Sequence, residues 1–391
     1  MSVEVVSLGC RLNLAESEVL RGLLAGCGDE LVVVNSCAVT AEAVRQTRQA
    51  IRRARRAHPA ARLLVTGCAA EIERDALAAM PEVDGLVGNA VKLDRRAWNA
   101  PASPRRAPAT HTRAFIQVQN GCDHACSFCV IPQGRGPSRS RPIPELIEAI
   151  ARRLDAGARE LVLTGVDITA WGLDLPGEPR LGALVMAILA AIPALDRLRL
   201  SSLDGVEIDP VLFELIAGEP RVMPHVHLSL QSGDDIILKR MKRRHLRADA
   251  VRLVELLRAR RPDIAFGADL IAGFPTEDDA MHARSLALIA ELGIVHGHIF
   301  PFSPRPGTPA ARMPQVPPAR AKTRAAELRG EVARVRARWL EDQLGTPLQV
   351  LAERDGTGHA GNFARVRLPE GTRPGTIVTV VPARVDQGLL A

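Results

Sequence analysis

Short apolar runs closed by small or sulfur-bearing residues punctuate the first hundred positions of this chain. Residues 3–6 lead into Gly9-Cys10, residues 31–34 into Asn35-Ser36-Cys37, and residues 63–65 into Gly67-Cys68. Helical patterning fills the intervals, most clearly over 16–24 and 41–57. Strand and helix alternate with a period of roughly 30 residues, as a parallel βαβαβ sheet requires. From residue 115 the alternation resumes with six β-like runs, at 115–118, 161–164, 197–200, 225–230, 265–271 and 298–302. Six such units predict a sheet curled into most of a barrel, with a site at the C-terminal ends of the strands. The apolar stretch 181–192 reads as a buried helix, too short to span a bilayer. Near the C-terminus, runs at 348–351, 364–368 and 376–381 stand between Gly- and Pro-rich turns, predicting a small all-β module of oligonucleotide-binding type. Residues 99–113, rich in proline and alanine, read as a linker. The expected class is α/β, with domains over 1–100, 108–338 and 340–391: a parallel βαβ domain, a partial (β/α)6 barrel and an OB-like module.

Cysteine placement adds chemistry to this outline. Cys122-Asp-His-Ala-Cys126-Ser-Phe-Cys129 follows the apolar run ending at Val118. Thiolates at this spacing can hold three irons of a [4Fe–4S] cube and leave the fourth iron without a protein ligand. A disulfide is disfavoured, because nothing suggests export and cytosolic thiols stay reduced. Zinc, with His124 as fourth ligand, is the remaining alternative, but zinc sites usually set two ligand pairs well apart. Cys10, Cys37 and Cys68 each sit just past a predicted strand. In an open parallel sheet such positions emerge along one edge, so the three should converge and could hold a second [4Fe–4S] cluster. Three unrelated buried cysteines is the alternative. Cys27 has no partner at that edge and reads as structural or incidental.

Composition narrows the setting. With 47% hydrophobic and 24% charged residues over 391 positions, the chain reads as an ordinary soluble protein of two or three domains. The N-terminus lacks a basic n-region, so no signal peptide and a cytoplasmic location are expected. The formal net charge is +7, and every cation except Lys92, Lys239, Lys242 and Lys322 is arginine. Such basicity favours a polyanionic partner, although a GC-rich genome also writes arginine for lysine. Clustering says more: six arginines from Arg45 to Arg56 share one predicted helix, Arg135, Arg139 and Arg141 follow the cysteine cluster, and Arg240 to Arg244 forms a third patch. Tyrosine is absent, so RNA contacts would lean on arginine charge and stacking.

The ordered motifs resemble those of the radical S-adenosylmethionine (SAM) methylthiotransferases over essentially the whole chain. They run Gly9-Cys10-Arg-Leu-Asn13-Leu-Ala-Glu16-Ser17, Asn35-Ser-Cys37-Ala-Val-Thr40, Thr66-Gly67-Cys68, Gln119-Asn-Gly121-Cys122 to Cys129-Val-Ile-Pro132 and Arg135-Gly136. Leu163-Thr164-Gly165-Val166, Arg199-Leu-Ser201-Ser202, Leu228-Ser-Leu-Gln231-Ser232-Gly233, Ile271-Ala-Gly273-Phe-Pro275 and Phe302-Ser303-Pro304-Arg305-Pro306-Gly307-Thr308 follow. The run from Ile131 to Arg141 looks most like the branch acting on N6-threonylcarbamoyladenosine at tRNA position 37. Departures are Ala-Ala-Glu71 after Cys68 and Gln133 where an aromatic is common.

The resemblance implies two [4Fe–4S] clusters, a radical SAM cluster on Cys122, Cys126 and Cys129 and an auxiliary one on Cys10, Cys37 and Cys68. It implies two SAM molecules per turnover, one cleaved reductively and one giving the methyl group, and no protein acid or base in the chemistry itself. Thr164, Gly165, Ser201, Ser202, Gln231, Arg240 and Gly273 are expected to line the SAM pocket, with barrel packing as the competing role for each but Arg240, which would pair with the SAM carboxylate or a phosphate and otherwise be a solvated surface arginine. Expected partners are a tRNA anticodon loop and a flavodoxin- or ferredoxin-like one-electron reductant, with no membrane; the C-terminal module corresponds to the family's RNA-binding TRAM domain. Rival readings are the same chemistry on N6-isopentenyladenosine or on an aspartate of a ribosomal protein, and a non-catalytic iron–sulfur RNA-binding redox sensor.

Overall fold

The computed structural model describes residues 3–27, 30–100 and 112–391, and the chain divides into two compact units. The first gathers the described residues of Met1–Pro108, Gln119–Arg139 and Ser303–Ala311; the second gathers those of Ala109–Val118, Ser140–Phe302 and Arg312–Ala391. Most of the linker expected over 99–113 lies outside the described residues.

In the first unit four parallel strands lie in chain order, β1 (Val3–Ser7), β2 (Leu31–Ser36), β3 (Arg62–Gly67) and the short β4 (Gly85–Leu86). The central strands are apolar on both faces because a helix covers each face. Val32, Val34, Leu63 and Val65 pack with Val44, Ile51 and Ala54 of helix α2 (Ala41–Ala57). On the other face Val5, Val33 and Leu64 pack with Leu20 and Leu24 of helix α1 (Arg11–Leu24). Thr40 caps α2, its side chain accepting from Ala43 N at 3.1 Å. α1 starts at Arg11, five residues before the pattern suggested; its first turn buries a polar Asn13, which masks the apolar periodicity. Cys27, partly buried, packs against this second cluster.

The second unit carries six parallel strands, β5 (Arg113–Gln117), β6 (Glu160–Thr164), β7 (Arg197–Leu200), β8 (His225–Gln231), β9 (Ala265–Ala272) and β10 (Ile294–Pro301). They form two three-stranded sheets, β5-β6-β7 and β8-β9-β10. Isolated parallel bridges, Leu198 to Val222 and Leu203 to Leu228, join the two at the β7–β8 seam. The seam arises because β7 ends after four residues; beyond it Leu203 N donates to His227 O at 2.8 Å and Ser229 N to Leu203 O at 2.9 Å. The last strand starts at Ile294, four residues before the expected 298, because His296 and Gly297 interrupt its apolar run. Gly297 is required there: a Cβ would lie 2.6 Å from Val332 Cγ2 on the long helix Pro318–Glu341. The buried helix expected over 181–192 is Leu181–Ala191, with Leu181, Leu184, Val185 and Ile188 fully buried. No helix among the described residues is long and apolar enough to cross a membrane.

The C-terminal strands are β11 (Leu348–Ala352), β12 (Thr357–Ala360), β13 (Arg365–Arg367), β14 (Ile377–Val380), β15 (Val385–Asp386) and β16 (Leu389–Leu390), ordered β14-β11-β12-β13-β16-β15. This sheet lies over the N-terminal ends of the barrel strands. Glu160, fully buried at the start of β6, accepts from Arg199 Nε at 3.0 Å. Arg199 Nη1 reaches Gly361 O at 3.0 Å, Arg197 Nη2 reaches Gln349 O at 2.6 Å, and Arg113 pairs with Glu353 at 2.6 Å. The Arg199 guanidinium also covers the Phe363 ring at 4.7 Å.

His296 is half-buried beside this layer, against Phe363 and Trp339. Burial, aided by the nearby Arg336, drives its pKa down to about 3. An unfolded histidine titrates near 6.5, so below that pH the unfolded chain binds more protons than the folded one. Stability is therefore complete above about 6.5 and falls as pH drops towards 3, by about 2 kcal/mol at pH 5. His296→Phe is expected to flatten the decline in melting temperature between pH 6.5 and 5; a decline as steep as in the parent refutes this.

Candidate functional site

The C-terminal edge of the first sheet delivers three cysteines. Cys10 follows β1 and is exposed, Cys37 follows β2 directly and is buried, and Cys68 follows β3 and opens the short helix α3 (Cys68–Ile72). Gly9, at φ +92°, makes the approach possible: a Cβ there would lie 2.6 Å from Cys37 Cβ and 2.8 Å from its Sγ. Gly67, also at φ +92°, lies so close to β2 that its Cβ would fall 2.4 Å from Ser36 O. Burial pushes the Cys37 thiol up to about 11 against a hydrogen bond from Val39, and the neighbouring Cys10 and Cys68 sulfurs push in the same direction. Cys37 thus lies within electrostatic reach of both Cys10 and Cys68 at one sheet edge, where the strand-end argument puts all three. Three crowded, soft donors suit an iron–sulfur cluster, whose irons relieve the repulsion among the thiolates.

Behind this edge lies a buried polar network. Glu16, with no exposed side-chain surface, binds Lys92 Nζ at 2.5 Å and Arg135 Nη1 at 2.9 Å. Arg135 Nη2 also donates to Asn13 Oδ1 at 2.5 Å, and its Nη1 to Asn120 Oδ1 at 2.7 Å. Asn13 Nδ2 ties to Leu8 O and Ser36 O at 2.7 and 2.9 Å, while Asn35 Nδ2 reaches Asn13 O and Ser17 Oγ, each at 3.0 Å. Burial opposes ionisation of Glu16, yet Lys92 and Arg135 beside it hold its carboxyl below the usual range. Arg135 is thus not one of the solvent-facing cations that its cluster with Arg139 and Arg141 suggested; it is a buried partner of Glu16. Fixed cations near three thiols also offset the negative charge that an iron–sulfur cluster would carry.

The second cysteine set lies in the same unit. Gly121, at φ +78°, turns the chain where a Cβ would meet Pro137 O at 1.9 Å. Gln119 Nε2 donates to Gly121 O and Ser138 Oγ, each at 2.8 Å, and Asp123 Oδ1 accepts from Ser138 N at 3.0 Å. Cys122 N bonds to Gly136 O at 3.1 Å and Cys129 N to Cys126 O at 3.2 Å. Two sulfurs accept backbone N–H groups, Cys122 Sγ from His124 N and Cys129 Sγ from Ile131 N, each at 3.4 Å. Such N–H to sulfur bonds tune cluster potentials. All three cysteines are partly exposed. Helix α4 (Ile131–Arg135) starts two residues after Cys129 and carries Arg135 into the network. Asn89 bridges the two sets, its Nδ2 2.6 Å from Gly134 O and 3.9 Å from Cys68 Sγ.

The SAM-pocket candidates cluster at the other parallel edge, in the second unit. Thr164 ends β6, Gly165 follows it, Ser201 and Ser202 follow β7, and Gln231 ends β8 in a left-handed conformation, φ +67°. Gly273 follows β9 with φ +70°, and a Cβ there would fall 2.4 Å from Ala321 Cβ; its N–H donates to Glu277 Oε1 at 3.0 Å. Arg240 Nη1 donates to Thr276 O at 3.3 Å. Between these strands lies a trio unmarked in the sequence. Asp269 Oδ1 pairs with His227 Nε2 at 3.1 Å and His298 Nδ1 at 3.0 Å, and Ser202 Oγ reaches Oδ2 at 3.4 Å. Burial opposes ionisation, but both imidazoles hold the Asp269 carboxyl far below its usual range.

Known proteins share this organisation. Residues 116–289 match the radical SAM superfamily, and residues 2–88 match UPF0004, described as an uncharacterized protein family. The threonylcarbamoyladenosine tRNA methylthiotransferase MtaB of Rickettsia prowazekii (strain Madrid E) is 43% identical, over 99% of this chain and 96% of its own. A tRNA-2-methylthio-N(6)-dimethylallyladenosine synthase of Cereibacter sphaeroides (strain ATCC 17025 / ATH 2.4.3) is 33% identical, over 96% of this chain and 94% of its own. Among solved structures, the radical SAM methyltransferase TsrM from Kitasatospora setae, with cobalamin and a [4Fe–4S] cluster bound, aligns with a TM-score of 0.57 at 18% identity. That alignment covers 76% of this chain and 68% of the other, and the likeness is one of fold.

Proposed function

The chain belongs to the radical SAM methylthiotransferases, which use SAM and [4Fe–4S] clusters, and from that premise we propose that it converts N6-threonylcarbamoyladenosine at position 37 of tRNA to its 2-methylthio derivative. The observation carrying the substrate is the near-full-length match, 43% identical to the relative named for threonylcarbamoyladenosine against 33% for the one named for dimethylallyladenosine. In this reading Cys122, Cys126 and Cys129 hold the cluster that engages SAM, and Cys10, Cys37 and Cys68 hold the auxiliary one. Together with SAM, the clusters supply the one-electron chemistry that an unactivated aromatic C–H bond demands.

The protein's own part is ligation, charge compensation and positioning. Exposed Cys10 puts one side of the auxiliary site within reach of a bound base, while buried Cys37 and Cys68 anchor the other side. Arg135 and Lys92 neutralise the charge behind it. Thr164, Gly165, Ser201, Ser202, Gln231 and Arg240 shape the SAM pocket, and Gly273 lets the turn after β9 close against Ala321. Position 37 lies in a single-stranded loop, so extruding the base costs little. The C-terminal sheet is the TRAM-type module, offering exposed Arg373 and Arg384 to RNA. Electrons come from a flavodoxin- or ferredoxin-like donor.

Mass spectrometry of tRNA nucleosides from cells with and without the gene tests the substrate. The 2-methylthio nucleoside should vanish and N6-threonylcarbamoyladenosine accumulate in its absence. Unchanged levels of both would sink this substrate and leave isopentenyladenosine or a ribosomal protein as the target.

A further inference from the structure

One concave surface of the first unit has no part in holding either cysteine set. A cavity of about 440 Å³ runs along α2, lined by Arg45, Arg48, Gln49, Arg52, Glu73 and Arg305. The helix residues fall three and four apart, so their side chains share one face. Arg305 arrives on the segment Ser303–Ala311, which is tied to the start of α2 where Ala41 N donates to Ser303 Oγ at 3.0 Å.

Cations outnumber anions in this lining. Glu73 is shared by two guanidiniums, Arg305 Nη2 at 3.0 Å and Arg48 Nη2 at 3.4 Å. Arg45 is matched by Glu42 on the surface, and Arg52 lies 3.8 Å from Glu82, beyond hydrogen-bond reach. The second observation concerns burial. Arg305 is 4% exposed, yet its Nε has no hydrogen-bond partner among the described residues, and neither has the buried Nε of Arg48. Unsatisfied buried N–H groups are costly, and guanidinium groups around a cavity match the oxygens of a phosphate through paired N–H bonds.

We propose that this cavity is a phosphate-binding site that seats a backbone phosphodiester of the tRNA substrate. The proposal rests on the tRNA reading above and adds to it a place on the protein. Its position favours a polymer phosphate over a free one. α2 begins four residues after Cys37, and Thr47 Oγ1 within α2 bonds to Cys37 O at 3.3 Å. A nucleic acid reaching the auxiliary site therefore passes the same helix. The cavity is also larger than inorganic phosphate needs.

The test uses the full chain with both clusters reconstituted. Affinity for an anticodon stem-loop RNA is measured by fluorescence anisotropy between about 50 and 200 mM salt. The double variant Arg48→Gln/Arg52→Gln should bind roughly tenfold more weakly and lose about 0.7 from its log–log salt slope, the signature of one lost single-strand phosphate contact. Arg53→Gln, on the same helix but outside the lining, should stay near the parent. Arg305→Lys keeps the charge and loses the fork, and should fall between the two. Iron content and melting temperature confirm that each variant is folded. Parent-like affinity and slope in the folded double variant overturn the proposal. So does calorimetry in which the double variant loses orthophosphate binding while its RNA affinity is intact, because the site then serves a free anion. If the parent itself ignores the stem-loop, the tRNA reading fails instead, and the orthophosphate comparison alone decides whether a phosphate site exists.

Discussion

Replacing Cys126 with alanine is expected to abolish reductive SAM cleavage, whereas replacing Cys37 with alanine leaves cleavage running and abolishes thiolation. The two outcomes can be separated because neither backbone depends on its sulfur for shape. The Cys126 loop is held by Gln119, Asp123 and Ser138, through bonds of 2.8 to 3.0 Å. The Cys37 corner is held by the β1–β2 and β2–β3 ladders and by Leu8 N donating to Asn35 O at 3.0 Å. Each substitution should therefore remove one cluster and spare the other, lowering iron from about eight to about four atoms per chain. The readouts are iron and acid-labile sulfide per chain, 5′-deoxyadenosine released under a strong reductant without oxygen, and 2-methylthio nucleoside formed on tRNA. Loss of SAM cleavage in the Cys37 variant, with iron still near four, would mean that the residue sets have been assigned to the wrong roles.

Much of this arrangement was legible in the sequence because it depends on where strands end. Cys10, Cys37 and Cys68 are far apart in the chain, yet each follows an apolar run, and a parallel sheet brings such positions to one edge. The left-handed glycines at 9 and 67 are part of the same signal, since they precede the cysteines and allow the close approach. Thr164, Ser201 and Gln231 were placed at a second edge by the same argument. What escaped was polar. Lys92 is one of four lysines in a chain that otherwise uses arginine, but nothing in its local sequence marks it as buried. Arg135 looked like a surface cation because a linear cluster does not reveal a carboxylate more than a hundred residues away. Strand β12, Thr-Gly-His-Ala, lacks the β-branched apolar run that marks a strand, and its Gly358 is there because a Cβ would meet Leu351 O at 2.4 Å. The start of β10 was hidden by His296 and Gly297, both chosen for buried neighbours supplied by distant segments.

Glu16→Gln carries the largest expected effect on stability. Among the described residues this carboxylate pairs directly with both Lys92 and Arg135, all three side chains being at most 2% exposed. An amide of the same shape keeps the packing and leaves two buried cations without their paired carboxylate, a change that typically costs about 3–5 kcal/mol. Denaturant unfolding should show that loss, with the midpoint shifted and the slope unchanged. Adding Lys92→Met should restore part of it, because Arg135 keeps Asn13 and Asn120 as acceptors at 2.5 and 2.7 Å and one unpaired cation has gone. Such non-additivity is the signature of direct coupling. The same substitution should also loosen both cysteine sets. Asn13 anchors the chain just ahead of Cys10 and of Cys37 through Leu8 O and Ser36 O, and Arg135 ends the helix that follows Cys129. Iron should therefore leave the Glu16 variant faster than the parent when a chelator is added, with the double variant in between. A loss of stability below about 1 kcal/mol, the range of an exposed ion pair, together with parent-like iron release, would show that Glu16 neither holds the network together nor supports the clusters.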